Sequence, residues 1–201
     1  MAALVQAAVE QASQALLTAS AQTARVVMDN EGQIDAEEVE IERAAINLLA
    51  RHQPAATDLR TVFAIVKINS DLERIGDCAF NIAQMIAPLA AAPVELPHDL
   101  RIMAETTLKQ VGDTTRCLAN RDPVLANQVC RGDDVVDALY HQIYQDMQTG
   151  MAQNKDRVAS DLAFIMVAKN LERIADHCTN IAEEVVFLVR GQIIRHTHTQ
   201  E

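Results

Sequence analysis

The stretch LERIGDCAFNIA, beginning at Leu72, returns as LERIADHCTNIA beginning at Leu171. At this shift of 99 residues, Leu72, Glu73, Arg74, Ile75, Asp77, Asn81, Ile82 and Ala83 each align with the same residue type. A repeat of this kind constrains the fold of a 201-residue chain more than any other feature. Each copy must form the same local structure and find an equivalent place in the core. Each copy also carries a Glu and an Asp four residues apart, a spacing that sets both side chains on one face of a helix.

Composition says what kind of element holds the repeats. Aromatic residues make up only 3% of the chain and glycine is sparse, whereas Ala, Val, Leu and Ile abound. Strands draw on aromatic and β-branched residues, and Ala and Leu are strong helix formers, so the chain reads as all-α. The formal charge of −11 repels phosphate backbones and argues against nucleic-acid binding. Cys78, Cys117, Cys130 and Cys178 are widely spaced with no CxxC pair, which reads as free buried thiols in a reducing compartment. No basic segment followed by an apolar run opens the sequence, and no apolar run approaches the roughly 20 residues that span a bilayer. The expected location is the cytoplasm.

Punctuation along the chain divides it into halves of three helices each. Pro88, Pro93 and Pro97 cluster between them, so the first repeat is placed at residues 1–92, the second at 97–192, and a tail at 193–201. Apolar periodicity predicts helices over about 4–18, 21–51 and 55–90, then about 99–119, 123–151 and 158–189. Ser20 is placed as the N-cap of the second helix, Asp122 with Pro123 at the start of the fifth, and Gly191 after the sixth. Short connections make neighbours antiparallel, and helices of about 30 residues run about 45 Å, so the molecule is expected to be elongated and to fold as one unit. The core stripe of the third helix reads Ile65, Ile68, Leu72, Ile75, Ala79, Ile82 and Ile86, which leaves Glu73 and Asp77 beside it.

The preceding helix of each half carries a matching acid pair. Glu31 and Asp35 stand four apart, as do Asp133 and Asp137, and the two pairs correspond at a shift of 102. With helices packed antiparallel, four carboxylates are expected to converge in each half: Glu31, Asp35, Glu73 and Asp77, then Asp133, Asp137, Glu172 and Asp176. One such pair alone is an ordinary solvated face. Four pairs in repeat-matched places impose like-charge repulsion that a cation would relieve. All-oxygen ligation suits iron, Mn, Mg or Ca. The Glu-x-x-His pattern of ferritin-like di-iron bundles is missing from both copies. Arg74 and Arg173 are expected in interhelical ion pairs, His177 in a structural role, and the histidines of RHTHTQE in a frayed tail.

RHQPAATDLR followed by KINSDLERIGDCAFNIA resembles the first repeat of the PhoU family of phosphate-transport accessory and regulatory proteins, and NLERIADHCTNIAEEVVFLVRGQ resembles the second. The resemblance covers nearly the whole chain and implies two three-helix repeats in a six-helix bundle with pseudo-twofold symmetry. It also implies a cytoplasmic, non-enzymatic negative regulator of phosphate uptake and of the phosphate-starvation response. Its implied partners are the phosphate ABC transporter ATPase, the associated sensor histidine kinase and a second copy in a homodimer. By the same resemblance, the eight acids named above match the family's surface metal motifs. A carboxylate-ligated metalloenzyme or metal store is the alternative from another class, weakened by the want of an accompanying general base or Glu-x-x-His set.

Overall fold

In the computed structural model, which describes residues 1–91 and 94–194, helix α1 spans Ala2–Thr18, α2 Ala21–His52 and α3 Thr57–Ala91. The second half holds α4 (His98–Asn120), α5 (Pro123–Arg131), α6 (Asp133–Gln153) and α7 (Val158–Arg190), with a short 3₁₀ turn at Lys155–Arg157 leading into α7. Every regular element among the described residues is helical, as composition requires. Among them no helix is long and apolar enough to cross a membrane. Pro93 in the expected junction, the end of the first repeat at residue 92, and the tail from residue 195 with its two histidines lie outside the described residues.

The same turn links the first two helices of each half. Ala19 and Arg121 both take the left-handed conformation, at φ 48° and 50°. The next amide reaches back across the helix end, Ser20 N–H to Ala15 O at 3.0 Å and Asp122 N–H to Cys117 O at 2.9 Å. Those two residues then cap the following helix. The Ser20 hydroxyl accepts from Thr23 N–H at 3.2 Å, and Asp122 Oδ1 accepts from Val124 and Leu125 N–H at 2.8 and 3.1 Å. Each helix end thus satisfies amides and carbonyls that helical geometry leaves unpaired. At the far end of α7, Gly191 adopts φ 69° and its N–H bonds Phe187 O at 2.8 Å.

The helix expected over 123–151 is interrupted for one residue. Gly132 N–H bonds Val129 O three residues back, which ends α5 and restarts the chain as α6. Glycine lowers the cost of the break but does not force it, because Gly32 lies inside α2 without interrupting it. Asp134, in the first turn of α6, suits the positive end of the helix dipole.

α3 and α7 run antiparallel through the middle of the molecule. α1 and α2 pack on α3, and α4, α5 and α6 pack on α7. Polar bonds fix the register of the two central helices. Asn180 Nδ2 donates to Asp71 Oδ1 at 3.2 Å, and Asn81 Nδ2 donates to Asn170 Oδ1 at 3.4 Å. A shift of 99 residues turns one of these pairs into the other, which is the relation a pseudo-twofold axis between α3 and α7 produces. Lys67 Nζ also meets Glu184 Oε1 across the seam at 3.2 Å. The core is continuous across both halves, with Ile75, Ile82, Ile174 and Ile181 almost fully buried. Ile65 departs from the expected stripe: it is 42% exposed, over a shallow cleft lined by Leu118 and Leu188 near the end of α4. All four cysteines are buried thiols outside any disulfide.

Candidate metal centres

The packing of α2 on α3, and of α6 on α7, gathers carboxylates at two places. Asp35, Glu73 and Asp77 each present an oxygen such that the three lie within 4.8 Å of one another, and Asp137, Glu172 and Asp176 do the same. Each acid follows a core residue in sequence. Ile34, Leu72 and Gly76 are buried beneath the first set, and Val136, Leu171 and Ala175 beneath the second. The carboxylates therefore sit at the rim of the core, with burial of the neighbouring backbone holding them in place.

Their electrostatics show the strain of this arrangement. Partial burial, and then the neighbouring charge of Asp77, push the Glu73 carboxyl above its ordinary range, and Arg74 only partly offsets this. Asp176 is raised by burial, then by Glu172 and Asp137. Asp137 is raised by burial and then by Glu172. A bound hard cation would reverse these shifts by favouring the charged forms. Three oxygens at mutual ligand distance, each from a carboxylate, form a donor set that fits such an ion.

Among the described residues, six of the eight acids read from the repeat are thus brought together, three in each half. Glu31 lies one turn from Asp35. Burial, Asp35 and Asp77 raise its pKa, but its oxygens do not join the three. The side chain of Asp133 lies outside the described residues. Spacing had established the face that each pair occupies, but not its height against the partner helix.

The basic residues differ from expectation. Arg74 pairs within its own helix, with Glu73 at 3.4 Å and Asp77 at 3.8 Å, and not between helices. Arg173, its counterpart, lines an open groove between α3 and α7 with Asp71, His177 and Asn180. Lys169 went unread in the sequence. Its ammonium donates to both oxygens of Glu172, at 2.7 and 2.6 Å, and sits 5.2 Å from the ring centre of Tyr140. The equivalent residue in the first half is Ser70, so the repeat gave no signal for it. Glu38, which raises the Glu73 carboxyl further, was also missed. His177 is structural as expected: its Nδ1 lies 2.9 Å from Asp71 Oδ1 and joins the two halves.

The PhoU domain matches residues 1–86 and again residues 100–185. The chain belongs to the PhoU family. A phosphate-specific transport system accessory protein PhoU homolog of Aquifex aeolicus is 39% identical over 202 residues, covering 100% of this chain and 91% of that protein. The crystal structure of PhoU from Pseudomonas aeruginosa superposes with a TM-score of 0.92 at 34% identity, over 96% of this chain and 93% of the other. The phosphate transport system regulatory protein PhoU from Streptococcus pneumoniae superposes at 0.86 with 26% identity, over 96% and 91%. The fold that the resemblance implied is therefore the fold of this chain, and its relatives carry the names of accessory and regulatory proteins, not of enzymes.

Proposed function

We propose that this chain is a non-enzymatic, cytoplasmic regulator that damps phosphate uptake and keeps the phosphate-starvation response off when phosphate is plentiful. It links the phosphate ABC transporter, through its ATPase, to the associated sensor histidine kinase, acts as a homodimer, and reaches the membrane only through these partners. The observation that carries this reading is the match of the PhoU domain to both halves of the chain. Helices built around a continuous core give a rigid body with a long outer surface, which suits a protein that bridges others. Deleting the gene should leave phosphate-starvation genes active in phosphate-rich medium. A reporter for those genes that stays silent in the deletion strain contradicts the assignment.

The two carboxylate clusters belong to the same reading as sites for an oxygen-ligated cation such as iron, Mn, Mg or Ca. Asp35, Glu73 and Asp77 would hold one ion, with Glu31, one turn away on α2, adding to the negative field around it. Asp137, Glu172 and Asp176 would hold the other, with Asp133 as the corresponding fourth acid. In the second site an ion must displace the Lys169 ammonium from Glu172, whereas in the first it competes only with the looser contacts of Arg74. The first site should therefore fill at lower metal concentration.

A further inference from the structure

The residues directly beneath the two clusters differ in a matched way. Ile34 precedes Asp35 on α2, and its counterpart Val136 precedes Asp137 on α6. Gly76 precedes Asp77 on α3, and its counterpart Ala175 precedes Asp176 on α7. All four are buried. A Cβ added at Gly76 would stand 2.9 Å from Ile34 Cδ1 and 3.2 Å from its Cγ2. Carbon atoms pack best at about 3.5–4.0 Å, so a side chain at residue 76 would crowd Ile34 and force its δ-methyl or the helices to shift. At the corresponding positions of the second half one carbon is exchanged between the two residues. Valine is one carbon smaller than isoleucine, and alanine is one carbon larger than glycine, so the summed side chains stay equal in size.

We propose that Ile34 with Gly76, and Val136 with Ala175, are positioning pairs. Each sets how closely the two ligand-bearing helices approach, and so holds its three carboxylates at cation-binding separation. The proposal rests on the metal reading above. Its physical basis is adjacency: each member of a pair is next in sequence to a carboxylate, and helices move as stiff bodies. Relieving a contact at 2.9 Å calls for a displacement of a few tenths of an ångström or more. Metal–oxygen distances tolerate only about 0.2 Å. Overfilling one pair should therefore spoil its own site and leave the other intact.

The test uses the full chain with the second site removed by Asp137→Asn, titrated with Mn²⁺ while free ion is read by electron paramagnetic resonance. Gly76→Ala is expected to weaken binding at the first site by about tenfold or more, the usual effect of disturbing the support of metal ligands. Adding Ile34→Val, which recreates the pair of the second half, should restore most of the loss. In chelator the melting temperature should follow the same order, lowered by Gly76→Ala and recovered by the double change. Gly76→Ala binding as tightly as its parent, or a double variant as weak as the single, overturns the positioning role. If Gly76→Ala does not fold, the reciprocal experiment decides with the first site removed by Asp77→Asn. There Val136→Ile should weaken the second site and Val136→Ile with Ala175→Gly should restore it, and failure of either expectation overturns the proposal. A parent that binds no Mn²⁺ overturns the metal reading together with this one, and is thereby distinguished from failure of the pairs alone.

Discussion

Glu73 and Asp77 differ from an ordinary exposed acid pair in what lies across from them. Asp35, on the neighbouring helix, brings a third oxygen within 4.8 Å. Their side chains nevertheless stay partly in solvent, at 19% and 36% exposure, so neither is a structural partner of the core. Asp77→Asn and Asp176→Asn should therefore unfold in chelator within about 0.5 kcal/mol of the parent, the range of surface changes. Each should weaken metal retention only in its own half. A large loss of stability without metal would mean that these acids support the fold itself. The buried thiols behave in the opposite way. Burial pushes Cys78 up to about 11 and Cys117, also crowded by Cys130, up to about 12. A raised thiol pKa lowers the thiolate fraction, and the thiolate is the nucleophile. At pH 8 a disulfide reagent should leave both unmodified in the native chain and react with them once it unfolds. At this scale the repeat revealed the acids well, because a doubled spacing is hard to mistake for a solvated face. Lys169 was hidden because Ser70 occupies the equivalent place, and a feature present in one copy leaves no repeat signal.

Among the elements, the caps carried the clearest sequence signal and the interruptions the weakest. Asp122 bonds two amides where Ser20 bonds one. Asp122→Ala should cost about 1 kcal/mol and Ser20→Ala no more than that, measured by thermal melts followed in the far ultraviolet. Equal stability of Asp122→Ala and the parent would show that the cap bonds are matched by water. Ser20 and Asp122 were legible because their side chains have a known use at helix starts. The left-handed residues just before them, Ala19 and Arg121, were not, since neither type favours that conformation. The break at Gly132 was unreadable for a related reason. Glycine occurs in both α2 and the α5–α6 segment, and the choice between continuity and a turn is made by the packing around it. Ile65 fits the apolar period of α3 but lies where no neighbour covers it, which periodicity along one helix cannot show.

At the scale of the whole molecule, the repeat, the cap positions and the exchange of Asn180–Asp71 with Asn81–Asn170 describe one pseudo-symmetric body. Its core runs unbroken from α1 to α7. Because α3 and α7 bury much of their surface against each other, a separated half would lose apolar burial worth roughly 25 cal/mol per Å². Unfolding should be a single transition, with exposure of Cys78 in one half coinciding with exposure of Cys178 in the other. Two separated transitions would show that the halves fold independently. The architecture was legible because helical periodicity and doubled motifs agree along the whole chain. That Glu31 stands apart from Asp35, Glu73 and Asp77 was not, because it depends on how far one helix slides along another. The claim on which the account turns is that both gatherings are cation sites. Native mass spectrometry of the chain equilibrated with Mn²⁺ tests it directly: the account predicts two ions per chain, one after Glu73→Gln with Asp77→Asn, and none after Glu172→Gln with Asp176→Asn is added. A parent with no bound ion, or an ion count unchanged by these substitutions, would contradict it.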